Sequence, residues 1–319
     1  MSIIVETKDL TRRYGNNIAL DHLNLQIPQG AVYGFIGPNG AGKTTTMRIL
    51  TTLLLPSAGE AWVAGHAVVK DRLAVRRSVG FMPDFFGVYD AMKAWEYLDF
   101  FAAAYEIAPA RRPKLIDDLL ALVDLSHKRD ADVMGLSRGM KQRLSLARTM
   151  LHDPALLILD EPASGLDPRA RVELRELLKE LRSMGKTIMI SSHILTELAE
   201  MCTHIGIIER GKLLASGDVE TIMRSLQPHR TYTVHLLSDP AAAVETVRGL
   251  PHVLEVRALP DATPPQIEID VEGDDQMVSE LLTRLIQAGT QVTHFAGQVS
   301  NLEEIFMRVT EGSAYGGTN

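Results

Sequence analysis

The chain has 319 residues, 45% apolar and 23% charged, which are ordinary globular proportions and exclude a fibrous or wholly disordered protein. Its 33 basic and 40 acidic residues leave a net charge of -7, so composition builds in no general attraction to nucleic acid or anionic lipid. The longest apolar runs, such as ALLIL at 155–159, are far shorter than a bilayer-crossing helix, and the N-terminal MSIIVETKDL has no signal-peptide pattern. With Cys202 as the only cysteine an intrachain disulfide is excluded, and a small core side chain in a reducing compartment is the expectation. A cytosolic protein of two domains follows.

Along the first part of the chain, strand-like runs at 31–37, 156–160, 187–191 and 204–209 alternate with helical patterns, as a doubly wound α/β core requires. The middle differs. Residues 90–130 keep a helical period with no strand between them, which predicts an all-helical insert within about 84–150. A first domain over 1–226 is therefore expected. Beyond Pro228 the order of patterns is strand (231–237), helix through Val247, strands near 253–258 and 266–271, helix 277–287 and strand-like QVTHFA. This βαββαβ order predicts a small α+β accessory domain over 229–312, of ferredoxin-like kind, followed by a flexible tail at 313–319.

The run AVYGFI leads into GPNGAGKTT, so Gly37, Pro38, Asn39, Gly40, Ala41, Gly42, Lys43, Thr44 and Thr45 form a strand–loop–helix phosphate cradle. Glycines let backbone N–H groups and the helix N-terminus point at phosphate oxygens. Lys43 adds a cation, and Thr44 adds a hydroxyl ligand for Mg²⁺. Farther on, ALLILDEP sets Asp160 and Glu161 in tandem at the end of a buried strand. Beside a phosphate loop, Asp160 suits the Mg²⁺ shell and Glu161 the orientation of an attacking water. Between the two lies LSRGMKQRLSLAR, in which Ser137 and Gly139 precede a helix whose N-terminus favours an anion. Taken alone, that segment is equally an ordinary capped helix.

These segments together resemble the ATP-binding-cassette (ABC) ATPases, with six elements in the family's order across about residues 3–220. The resemblance implies a P-loop fold: a RecA-like core, a β-subdomain and a helical insert. It implies that LSRGM is the signature segment, Asp160-Glu161 the Walker B pair, and Ser164-Gly165-Leu166-Asp167 the D-loop. His193 in SSHIL takes the place of the switch histidine that holds the γ-phosphate and the water near Glu161, and Tyr14 that of the aromatic stacked on adenine. It further implies ATP and Mg²⁺ as ligands, Asp167 among the residues that bind the nucleotide, and a second cassette bound head to tail, so that Ser137 and Gly139 of one chain complete the site built on Lys43 of the other.

The sequence departs from the family pattern at two places. Arg138 and Met140 stand where the commonest signature has Gly and Gln, and Asp84 in MPDFF stands where a Mg²⁺-ligating Gln is usual. Asp84 retains an oxygen for the metal but adds charge beside a triphosphate. The segments FFGVYDAMKAWEYLDFFA and NLEEIFMRVTEG resemble exporter-type cassettes that pair with a separately encoded membrane permease in drug, lipid or polysaccharide export. That places the chain on the inner face of the cell membrane. A soluble ABC ATPase acting on ribosomes or DNA is the competing reading. It is disfavoured by a single compact cassette without coiled coils and by the net acidity. The accessory domain is either a ligand-binding regulator or an extension that supports the dimer.

Phe81, Phe85, Phe86, Tyr89, Trp95, Tyr97, Phe100, Phe101 and Tyr105 are nine of the 17 aromatic residues and crowd one stretch, more than a small insert normally buries. Phe85, Phe86 and Tyr89 are expected to line the cleft that receives a cytosolic helix of the permease, with Asp84 beside them joining partner contact to metal contact. Replacing Phe86 and Tyr89 by Ala should leave a folded subunit that hydrolyses ATP but no longer co-purifies with its permease. Normal assembly and transport by the double variant would overturn that assignment.

Overall fold

The computed structural model describes residues 2–84, 87, 92–194, 198, 200–226, 230–237, 239–259, 262–272 and 275–297. The chain forms two compact units, Met1–Ile222 and Met223–Asn319. In chain order the first unit contains β1 (Ile3–Tyr14), β2 (Asn17–Leu23), β3 (Gln26–Pro28), β4 (Val32–Ile36), α1 (Lys43–Leu50), β5 (Ala58–Val63), β6 (His66–Ala67), α2 (Arg72–Ser78) and β7 (Val79–Met82). It continues with α3 (Ala94–Ala104), α4 (Arg112–Leu122), α5 (Arg138–Met150), β8 (Leu156–Leu159), α6 (Pro168–Ser183), β9 (Thr187–Ser192), β10 (His204–Glu209), β11 (Lys212–Asp218) and α7 (Val219–Leu226), within which the two units part.

Two sheets build this unit. One is antiparallel, in the order β2-β1-β5-β6 with β3 on β1; the other is six-stranded, in the order β11-β10-β4-β9-β8-β7. In the six-stranded sheet β10, β4, β9, β8 and β7 run parallel, and only the edge strand β11 is antiparallel. Parallel strands are covered on both faces, which is why VYGFI, LLIL and TIMISS are buried at every position. β11 alternates exposed and half-buried residues instead, as a one-sided edge does. Val5, Leu10 and Val63 of the antiparallel sheet share one core with Phe35, Ile158, Met189 and Ile208 of the other.

The insert consists of α3 and α4 packed on α5, and backbone bonds from Ala94 N to Ala131 O and Trp95 N to Arg129 O close its base. α5 also contacts β7, so it belongs to insert and core alike. α6 buries Leu174, Leu177, Leu178 and Leu181, one stripe at helical spacing.

The second unit contains β12 (Arg230–Leu236), α8 (Pro240–Val247), β13 (Val253–Leu259), β14 (Gln266–Val271), α9 (Asp275–Gln287) and β15 (Val292–Gly297). Its strands lie in the order β13-β14-β12-β15, every pair antiparallel. This is the strand order of a ferredoxin-like βαββαβ sheet. Val234, Leu236, Ile267, Ile269 and Val271 point to one face, where they pack with Ala243, Val244 and Val247 of α8 and Leu281 and Leu285 of α9.

Candidate functional site

Parallel pairing brings the C-terminal ends of β4, β9, β8 and β7 to one edge of the sheet, in that spatial order. Each end carries candidate residues. Gly37 follows β4, His193 follows β9, Asp160 and Glu161 follow β8, and Asp84 stands exposed two positions beyond β7. In open α/β sheets this carboxyl edge is where ligands bind.

The loop from β4 into α1 turns where only glycine fits. A Cβ on Gly37 would lie 2.2 Å from the Ile208 carbonyl oxygen, and Gly42 has φ 110° with the Ala19 carbonyl oxygen 2.7 Å from where its Cβ would be. Gly42 is also the N-cap of α1 and offers no side-chain cap, so the first-turn N–H groups are free of one. That is an anion cradle. Asn39 and Gly40 are exposed, Pro38 half-buried and Ala41 buried; Thr44 is exposed and Thr45 half-buried in the first turn.

Lys43 is nearly buried. Its Nζ donates to Gly37 O at 2.6 Å and Pro38 O at 3.3 Å, and stands 3.6 Å from Glu161 Oε1. Burial lowers its pKa, opposed in part by the charges of Glu161 and Asp160. An ammonium in this state gains from a second anion.

Asp160 is 3% exposed, and its Oδ1 accepts the Ser191 hydroxyl at 2.6 Å. The same hydroxyl accepts the Glu161 backbone N–H at 2.9 Å, so one side chain of β9 anchors both acids. Glu161 has φ 50°, in the left-handed region that a non-glycine residue seldom adopts. Its Oε2 lies 3.1 Å from Nδ1 of the half-exposed His193. Because a carboxylate only accepts, Nδ1 carries the proton in that bond and Nε2 is left for another partner.

Ser137 caps α5 by accepting Met140 N–H at 3.3 Å, and Asp167 caps α6 by accepting Ala170 N–H at 2.8 Å. Both are exposed, and with half-buried Gly139 they line a separate cavity of about 240 Å³ between α5 and α6. Tyr14, at the end of β1, is 46% exposed. Phe85, Phe86 and Tyr89, and the segment 301–312, lie outside the described residues. Of the neighbouring aromatics, Tyr97 is buried, Phe81, Trp95 and Phe101 are half-buried, and Phe100 and Tyr105 are exposed.

Three contributors were not singled out from the sequence. Ser191 is one; a serine inside an apolar strand, just before the candidate histidine, was the available signal. Gln142 is another: its Nε2 donates 2.8 Å to Pro162 O and ties α5 to the turn after Glu161. Arg12 is the third, with its guanidinium 4.6 Å from the centre of the Tyr14 ring; nothing in the sequence marked it.

The residues therefore fit a magnesium nucleoside triphosphate: an uncapped helix N-terminus, a buried cation with lowered pKa, a free hydroxyl at Thr44, and paired carboxylates alongside.

Residues 20–164 match the model of the ABC transporter family, and residues 217–310 match the C-terminal domain of ATP-binding proteins like DrrA1-3. The bacitracin transport ATP-binding protein BcrA of Bacillus licheniformis is 35% identical over 99% of this chain and 100% of its own length. The daunorubicin resistance ATP-binding protein DrrA3 of Streptomyces coeruleorubidus is 30% identical over 94% of this chain and 93% of its own. Among solved structures, an ATP-binding subunit of an ABC transporter superposes with TM-score 0.63 at 30% identity, covering 70% of this chain and 92% of that one.

Ser191→Ala should free both acids at once, since it removes a charge-assisted bond that contributes about 1.5–3 kcal/mol and a backbone acceptor. Thermal unfolding should show a loss of that order, and ATP turnover should fall roughly tenfold or more, the factor that ~1.4 kcal/mol gives. Unchanged stability and turnover would show that this anchor is dispensable.

Proposed function

Because the chain belongs to the ABC transporter family of ATP-binding proteins, we propose that it binds and hydrolyses ATP with Mg²⁺ to drive export through a separately encoded membrane permease. The observation that carries the residue assignment is the convergence of Lys43, Glu161 and His193 at one sheet edge, within 3.6 Å and 3.1 Å of one another in turn, with Asp160 anchored beside them.

In this reading the loop 37–42 and the N-terminus of α1 hold the phosphates, and Lys43 moves its ammonium from the loop carbonyls toward them. Thr44, Asp160 and Asp84 supply oxygens to Mg²⁺, which when bound neutralises charge on the β- and γ-phosphates. Glu161 orients the attacking water and accepts its proton. His193, with Nδ1–H held by Glu161, directs Nε2 at the γ-phosphate. Tyr14 stacks on the adenine ring.

Ser137, Gly139 and Asp167 lie at the N-terminal ends of α5 and α6 and line a cavity of their own that Lys43, Asp160, Glu161 and His193 do not line. That separation supports a composite site, in which they face the nucleotide of a second, identical cassette set head to tail. No helix among the described residues is long and apolar enough to cross a membrane, which suits a subunit held at the inner membrane face by its permease. Relatives named for bacitracin transport, daunorubicin resistance and Nod factor export support the exporter reading.

Glu161→Gln should retain MgATP and lose turnover by several orders of magnitude, leaving a long-lived ATP-bound dimer. Size-exclusion chromatography with MgATP that finds this variant no more dimeric than wild type would sink the composite site. Asp84→Ala should raise the Mg²⁺ concentration needed for half-maximal turnover and lower the rate, whereas Asp84→Gln should be tolerated. An unchanged Mg²⁺ titration for Asp84→Ala would remove this residue from the metal shell.

A further inference from the structure

Arg12 and Tyr14 are two positions apart on β1, beside an irregularity in its pairing with β2. The Arg12 guanidinium lies over the Tyr14 ring, 4.6 Å from its centre. Nη1 of Arg12 donates 3.0 Å to the carbonyl of Leu55, in the connection between α1 and β5, so the guanidinium is braced from behind. Nε of Arg12 is buried without a hydrogen-bond partner, and among the described residues no carboxylate pairs with this arginine. This half-buried guanidinium without a counter-ion is compensated by the Leu55 carbonyl and by the face of an aromatic ring. The ring has one face covered by the guanidinium, and Tyr14 as a residue is exposed.

We propose that Arg12 is a positioning residue for the nucleotide base: it holds Tyr14 in one orientation and leaves the opposite face as a stacking platform for a purine. The inference rests on the reading of Tyr14 as the base contact. A cation on one face of the ring draws π density toward itself, so the far face becomes a better partner for an electron-rich base than an isolated tyrosine would be. Bracing by Leu55 also removes rotamer freedom that binding would otherwise have to remove. Arg12 acts on the base through the ring and leaves the triphosphate contacts to Lys43 and the loop.

Isothermal titration of the full chain with MgATP and, separately, with magnesium tripolyphosphate, which has no base, tests this. Arg12→Ala should weaken MgATP roughly two- to fivefold, the range of an exposed cation–π contact, and leave tripolyphosphate affinity unchanged. Arg12→Lys should recover part of the loss, because an ammonium supplies charge without the planar fork that reaches Leu55. In a Tyr14→Ala background, Arg12→Ala should add nothing. An equal loss for both ligands would mean that Arg12 serves the phosphates or the fold. A loss that persists without Tyr14, or no loss for MgATP, would equally overturn the proposal. If Tyr14→Ala itself left MgATP binding unchanged, the failure would lie in the base-contact reading beneath it.

Discussion

The site depends on a buried ammonium. Taking the Lys43 side chain out of water is costly, and the cost is offset by two carbonyls of its own loop, Gly37 O and Pro38 O, and by the carboxylate of Glu161 on the far side of β9. The cation thus closes the loop on itself and links it to the strand that carries the acids. Its lowered pKa expresses the same balance: burial outweighs the neighbouring negative charge, and a triphosphate would tip it back. For this arrangement to exist, β4, β9 and β8 must be parallel, adjacent and in register, so the ordering of the six-stranded sheet is a condition of the chemistry.

From that centre a chain of contacts runs outward through the same unit. Ser191 holds Asp160 and the backbone of Glu161, and Gln142 holds the carbonyl of Pro162 just beyond. Gln142 belongs to α5, whose N-cap is Ser137. Arg138, on the first turn of that helix, lies against Gly165, where an added Cβ would come within 2.5 Å of the guanidinium carbon. Arg138 therefore occupies space that any side chain at position 165 would need. Contacts thus run from the acids to α5 and to the turn at Gly165, so a shift at Glu161 has a packed route toward Ser137 and Asp167.

The second unit has its own closed core. Its two helices cover one face of the sheet, while Thr231 bonds Asp270 and Arg257 pairs with Asp270 on the other. A complete apolar core on one side and satisfied polar pairs on the other suit a module that holds its shape independently of nucleotide.

Local chemistry was enough to determine much of this from the sequence. A phosphate loop needs glycines, a lysine and a hydroxyl at fixed spacing, a buried parallel strand reads as an unbroken apolar run, and a tandem Asp-Glu at such a strand's end has few structural uses. Gly37 to Thr45, Asp160 and Glu161 were legible for that reason, as were the strands at 187–191 and 204–209 and the helical middle, whereas His193 was legible only through the resemblance to a family. Only the tertiary structure decided which distant residues support them. Ser191 is an unremarkable serine until β9 pairs with β8, because its role is to meet two groups some 30 positions away. Arg12 is one of many surface-seeking cations until the carbonyl of Leu55 and the ring of Tyr14 fix it. Such contacts are set by strand register and by how the sheets share their core, and those depend on the whole chain rather than on any window of it.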